Sequence, residues 1–170
     1  MEYISNKRVK IEISGVVQGV GFRPFVYQLA LQHSLKGYVL NNGNGVVIEL
    51  EGQKPQFDAF LSSMKTTLPI LSRIDTLQMT EIPTEESSTF SIIKSTNTDV
   101  KTMVSADMSM CPDCKKEMND PKNRRYKYPF INCTNCGPRY TIINALPYDR
   151  KNTSMQNFEM CDACRAEYED

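Results

Sequence analysis

Gly15-Val16-Val17-Gln18-Gly19-Val20-Gly21-Phe22-Arg23 is the stretch from which the rest of this chain can be read. Before it, Val9, Ile11 and Ile13 alternate with Lys10, Glu12 and Ser14, the period-two pattern of a half-buried strand. After it, Phe22, Phe25, Val26, Leu29 and Ala30 recur at helical spacing, and Pro24 suits a first helical turn. The stretch is therefore a glycine-rich turn from strand to helix that ends in an arginine. A helix N-terminus carries partial positive charge, so a cation in the first turn is unfavourable unless an anion sits between it and the loop amides. The loop is expected to bind a phosphate through the backbone of Gln18, Gly19, Val20, Gly21 and Phe22, with Arg23 as a bidentate clamp. Other phosphate loops fit poorly. No Gly-Lys-Ser/Thr follows, and Pro24 stands where the third glycine of a dinucleotide fingerprint belongs. The bland alternative is a tight turn with no ligand.

Working outward, Gly37 to Asn41 reads as a second strand. Asn42-Gly43-Asn44-Gly45 is a turn signal before a third strand, in which Val46, Ile48 and Leu50 share a face. Pro55 opens a second helix with Phe57, Phe60, Leu61 and Met64 on one side. Ile74 to Ile82 and Phe90 to Lys94 are two further, weakly patterned strands joined by Pro83 to Thr89. The order predicts an α+β, ferredoxin-like βαββαβ sandwich: an antiparallel sheet covered on one side by two helices. His33 falls on the first helix and is read as a surface residue without a catalytic role.

The 170 residues carry 40% hydrophobic and 24% charged side chains, an ordinary globular mix. The formal net charge is zero and the pI is near 6.6, which argues against a nucleic-acid partner. No run of about 18 apolar residues is present, so no membrane association is expected. Residues 1–10 are polar and lack a signal-peptide core, and the chain is expected to be cytoplasmic, where thiols stay reduced.

All six cysteines follow Met110, beyond the polar stretch Ser95-Thr96-Asn97-Thr98-Asp99. This suggests a first domain at 1–96, a linker at 97–110 and a cysteine-rich region at 111–170. Cys111-Pro112-Asp113-Cys114 and Cys133-Thr134-Asn135-Cys136 are two C-x-x-C pairs separated by eighteen residues, the spacing of a structural four-thiolate zinc site. The first pair with its flank, Cys111 to Glu117, reappears as Cys161-Asp162-Ala163-Cys164-Arg165-Ala166-Glu167. Cys161 and Cys164 have no following pair, so the sequence is expected to stop inside a second finger; alternatively they exchange with another pair. Asn123-Arg124-Arg125-Tyr126-Lys127-Tyr128 is a basic, aromatic run that reads as a solvated finger loop, a phosphate or nucleic-acid contact, or a clamp between domains.

Gln18-Gly19-Val20-Gly21-Phe22-Arg23, Gly37-Tyr38-Val39-Leu40-Asn41, Gly45-Val46-Val47-Ile48-Glu49 and Glu51-Gly52 resemble the two signatures of the acylphosphatases. That resemblance implies that Arg23 and Asn41 are catalytic. Arg23 and the loop amides would bind the phosphoryl group, and Asn41 would orient the attacking water. Leu40 and Asn44 stand where many members carry arginine and aspartate. The cysteine spacing, with Asn123 to Tyr126, Tyr128 to Arg139 and Ala145-Leu146-Pro147-Tyr148-Asp149-Arg150, is similar to the N-terminal part of the HypF-type hydrogenase-maturation carbamoyltransferases. This second resemblance implies a small-molecule substrate, carbamoyl phosphate. It also implies a maturation partner protein that acts only in a longer, full-length chain, because the carbamoyl-adenylate and transfer domains lie beyond the fingers. A stand-alone acylphosphatase with a structural zinc module, or a non-catalytic zinc-dependent binding module, are the alternatives.

Overall fold

The computed structural model describes residues 6–95, 108–133, 136–137 and 139–169. Most of the expected 97–110 linker lies outside them. Seven elements build the first unit: β1 (Lys7–Val16), α1 (Phe22–Gln32), β2 (Lys36–Asn42), β3 (Gly45–Gly52), α2 (Lys54–Thr66), β4 (Arg73–Ile82) and β5 (Phe90–Ile92). The strand order is β4-β1-β3-β2-β5. β1 pairs antiparallel with β3 and β4, and β2 pairs antiparallel with β3. The alternation in β1 sets the sheet's two faces: Val9, Ile11 and Ile13 are buried, while Glu12 is exposed. Their core face packs with Phe22, Val26, Leu29 and Ala30 of α1 and Phe57, Phe60 and Met64 of α2.

The expectation of a purely antiparallel sheet needs correction, because β5 joins β2 in parallel. The chain leaves β4 at one edge, crosses one end of the sheet and returns at the other edge. Charges around the buried Arg8 and Glu51 tie down that crossing. Arg8 is 2% exposed and pairs with Glu49 (2.6 Å) and Glu85 (2.5 Å). The buried Glu51 carboxylate accepts backbone N–H bonds from Glu85 (3.2 Å), Glu86 (3.1 Å) and Ser87 (3.3 Å). Burial alone would raise the Glu51 pKa, but these donors outweigh it and hold the carboxyl below its ordinary value. Such long-range charge pairing has no period in the sequence.

The cysteine-rich region has little regular structure. It contains α3 (Pro112–Asn119), α4 (Asp162–Glu169) and three short 3-10 turns between them. Its small core is Cys114, Ile131 and Cys136, flanked by Met110, Cys111, Met118 and Cys133. No helix among the described residues is long and apolar enough to cross a membrane.

Candidate active site and metal centre

The loop after β1 and the last residues of β2 lie at the same end of the sheet, because these two strands run in the same direction on either side of β3. Gly19 (φ 72°) and Gly21 (φ 75°) both adopt the left-handed conformation that lets the loop turn into α1. Gly21 is the N-cap; no side chain caps the helix and no acidic residue lies in its first turn. The side chains of Val17, Val20 and Phe22 are anchored in the core, which fixes the loop from below.

A cavity of about 160 Å³ opens over this loop. It is lined by Gly19, Gly21, Phe22, Arg23 and Asn41 from the first unit, and by Asn132, Cys133, Gly137 and Tyr148 from the cysteine-rich region. Asn41 is 1% exposed, and neither its Oδ1 nor its Nδ2 has a hydrogen-bond partner. A buried amide left unpaired on both sides costs several kcal/mol in the absence of a ligand or water (~2–7 by transfer), so both atoms are free to bond a molecule in the cavity. Strand alternation turns Leu40 to the other face, and it does not line the cavity.

The structure divides the expected phosphate-binding set. Gly19, Gly21, Phe22 and Arg23 line the cavity, whereas Gln18 and Val20 do not. Gln18 is buried and braces the site instead: its Nε2 donates to the carbonyls of Asn42 and Gly45 (2.7 Å each), and its Oε1 accepts from the Tyr148 backbone N–H (3.2 Å). One side chain thus ties the loop to the β2–β3 turn and to the cysteine-rich region. Gly137 packs on the same loop: a Cβ at this position would lie 3.2 Å from the Gly19 carbonyl oxygen. His33, expected on the surface of the first helix, is instead its C-cap, one residue past α1 and half-buried; its Nε2 lies 3.0 Å from Ser63 Oγ of α2.

Arg23 projects from the first turn of α1. Its Nη2 lies 3.2 Å from Asp149 Oδ1, and its Nη1 donates to Ser95 Oγ at 3.4 Å. Asp149, Tyr148 and Asn132 were not assigned roles from sequence. Their signal was present in Ala145 to Arg150 and Tyr128 to Arg139, but those runs carry no recognisable chemistry without the fold.

Below the cavity, Cys111, Cys114, Cys133 and Cys136 bring four sulfurs within 4.8 Å of one another. The Sγ···Sγ separations are 3.6 Å (Cys111 to Cys133), 3.8 Å (Cys133 to Cys136) and 3.8 Å (Cys114 to Cys136). Zn–S bonds of about 2.3 Å at tetrahedral angles require about 3.8 Å between sulfurs, so the cage fits that ion. Burial opposes ionisation of Cys136, but the backbones of Cys111 and Cys133 and the Arg139 guanidinium, 3.3 Å from its sulfur, hold it at about 6. Burial and the neighbouring sulfurs instead push Cys114 up. A bound cation would draw both into the thiolate form. Arg139 also donates to the carbonyl of Ile131 at 2.8 Å, pinning the knuckle around the sulfurs.

Cys161 and Cys164 lie outside the cage. Cys161 is exposed and Cys164 is half-buried. The backbone of Cys164, then its thiol, lowers the Cys161 pKa. The Asn123–Tyr128 run explains how the second copy is held. Arg125 pairs with Glu117 of α3 (2.7 Å) and with Glu167 of α4, and Arg124 pairs with Glu167 and approaches Cys164. Glu117 and Glu167 are the matching last residues of the two repeat copies. These arginines therefore clamp one copy to the other, rather than one domain to the other.

Residues 9–92 match the Acylphosphatase family, and residues 110–143 match the HypF finger. The "Probable carbamoyltransferase HypF" of Methanocaldococcus jannaschii is 53% identical over 148 residues, which is 85% of this chain and 19% of that protein. An "Acylphosphatase" of Leuconostoc mesenteroides is 37% identical over 87 residues, covering 51% of this chain and 97% of that protein. The crystal structure of full-length HypF in a phosphate- and nucleotide-bound form superimposes with a TM-score of 0.91 at 49% identity, covering 98% of this chain and 22% of that one. The chain thus corresponds to the N-terminal part of these larger relatives and spans about a fifth of their length.

Proposed function

The chain belongs to the acylphosphatase family, with a HypF finger joined to the acylphosphatase fold, and on that premise we propose that it binds and hydrolyses an acyl phosphate, carbamoyl phosphate foremost, as the N-terminal module of a HypF-type carbamoyltransferase. The observation that carries this is Asn41: a buried amide, unpartnered at both atoms, in the same small cavity as Arg23 and the Gly19–Gly21 turn.

The chemistry needs little beyond positioning and charge stabilisation. The loop amides and the Arg23 guanidinium hold the non-bridging phosphoryl oxygens. Asn41 Oδ1 accepts a hydrogen bond from a water, and its Nδ2 donates to the phosphoryl group or the same water. That water attacks phosphorus in line. The new P–O bond forms as the P–O bond to the acyl group breaks, the electron pair leaves on the carbamate oxygen, and the water's proton passes to the products and solvent. Asparagine is too weak a base to take that proton, so its role is orientation. The leaving group is already a stable anion, which removes the need for a general acid. Developing negative charge is met by donors fixed before the reaction begins.

The four-thiolate cage is read as a structural zinc site. Four sulfurs leave no open coordination position, so the metal supplies folding energy to a region with few apolar residues. Two units, 1–96 and 111–170, then share one active site. Reduced, metal-binding thiols suit a cytoplasmic protein. Transfer to a maturation partner belongs to the full-length context.

The test is phosphate release from carbamoyl, acetyl and benzoyl phosphate by the zinc-loaded chain. Wild type is expected to turn over carbamoyl phosphate preferentially. Arg23→Ala and Asn41→Ala should each lower kcat by roughly 10²–10³-fold, the range for loss of one pre-organised transition-state donor. Equal rates on all three substrates would favour a general acylphosphatase. The absence of turnover by zinc-loaded wild type would leave a binding module.

A further inference from the structure

Arg23 lines two cavities. One is the 160 Å³ cavity that holds Asn41. The other, about 250 Å³, is walled by Arg125, Tyr128, Asn132, Tyr148 and Asp149. Asp149 lines the second and not the first. Its carboxylate therefore meets the guanidinium as part of the second cavity's wall. A guanidinium offers five N–H donors in a planar fork. Asp149 engages Nη2 and Ser95 engages Nη1 at a long 3.4 Å, which leaves N–H donors for an anion in the Asn41 cavity.

From this arrangement we infer that Asp149 is a positioning residue for Arg23: a carboxylate supplied by the cysteine-rich region that fixes the phosphate-binding guanidinium before substrate arrives. Three features support it. α1 has no acidic residue in its first turn, so Arg23 lacks the local countercharge that would offset its unfavourable place at a helix N-terminus. Asp149 is held on a braced turn: its carbonyl accepts from the Asn152 N–H (2.8 Å), and Asn152 Nδ2 donates to the Pro147 carbonyl (2.7 Å). The adjacent residue, Tyr148, is bonded through its backbone to Gln18 of the loop itself. The distance between Asp149 and the phosphate loop is thus set from both sides. The Arg23 and Asp149 side chains are 23% and 18% exposed, so the pair is partly screened by solvent and its effect is of moderate size.

This inference rests on the reading of the loop as a phosphoryl site, and inorganic phosphate is the probe that separates the two. Phosphate is titrated calorimetrically into zinc-loaded wild type, Asp149→Ala, Asp149→Asn and Asp149→Glu, each checked for unchanged zinc content and thermal midpoint. Asp149→Ala is expected to weaken phosphate binding about tenfold, Asp149→Asn to weaken it less, and Asp149→Glu to recover most of it. The Arg23 Nε–H resonance, sharp in phosphate-free wild type, should broaden in Asp149→Ala, a change that a purely structural role would not produce. Should Asp149→Ala fail to fold, the Asp149→Asn comparison decides. Unchanged or tighter phosphate binding by the correctly folded variants overturns the inference, because it makes Asp149 a bystander or a competitor of the anion. Wild type that binds no phosphate overturns it as well. Phosphate binding without acyl-phosphate turnover defeats the hydrolase reading alone; normal turnover with Asp149 variants indistinguishable from wild type defeats the positioning role alone.

Discussion

The sheet-and-helix unit and the cysteine-rich region meet at one cavity but are held together by different physics. The first buries Ile11, Val20, Phe22, Val26, Ile48, Leu50, Phe60 and Met64 in a continuous apolar core. The second buries Ile142 and a small cluster of Cys114, Ile131 and Cys136, and two of that cluster's three residues are in the sulfur cage. Apolar burial contributes roughly 1.5–3 kcal/mol per large side chain, so the first unit has enough to stabilise itself. The second buries far less, and under the proposed structural-zinc reading its order rests on the metal that its four sulfurs fit. The site between them draws on both: the loop, Arg23 and Asn41 come from the half with the apolar core, while Asn132, Gly137, Tyr148 and Asp149 come from the half built around the sulfur cage.

The largest way to break the comparison is to remove the metal. Structural zinc in small modules contributes apparent free energies of about 10–16 kcal/mol. Treatment with a strong chelator is therefore expected to abolish amide-exchange protection around residues 111–158 while leaving that of β1, β3 and α2 intact. Acidification should act in the same direction, since protons compete with the metal for thiolates; zinc release, followed with a colorimetric dye, should precede loss of the sheet as pH falls. Simultaneous collapse of both regions would show that the first unit leans on the second.

Next in size is Phe60→Ala. Phe60 is fully buried between α2 and the sheet, and truncation of such a side chain costs about 3–5 kcal/mol. Urea unfolding should show that loss in the first unit, with zinc content unchanged. The smallest effect is expected from Cys161→Ser with Cys164→Ser. These residues are outside the cage, so mass spectrometry under native conditions should still find a single zinc per chain. In wild type, Cys161 should react first with iodoacetamide, being exposed and lowered in pKa.

What was legible in the sequence follows the same division. The β1 alternation, the α1 and α2 stripes and the Asn42–Gly45 turn are local, and each reports its own element. The four-cysteine cage was readable because two short chelating loops are local as well. Contacts made across the chain were not. Nothing in the alternation of Ile74 to Ile82 shows that the next strand will cross the sheet and pair in parallel with β2; that depends on Arg8, Glu51 and Glu85 meeting in space. Gln18 reads as a member of a phosphate loop, yet its side chain bonds the β2–β3 turn and Tyr148, both distant in sequence. Arg125 reads as part of a basic run, and only the fold shows it bridging the two repeat copies. The Arg23–Asp149 pair joins the first helix to the cysteine-rich region, a relation that no local pattern could announce.

The central claim is that water, oriented by Asn41, attacks phosphorus while Arg23 and the loop hold the phosphoryl oxygens. Turnover of carbamoyl phosphate in ¹⁸O-labelled water, read by the isotope shift in the phosphorus NMR spectrum, tests it most directly. The account predicts one ¹⁸O in each inorganic phosphate released by wild type, with that labelled product lost in Arg23→Ala and Asn41→Ala. Enzyme-dependent release of unlabelled phosphate, the outcome of cleavage on the carbon side, would contradict it.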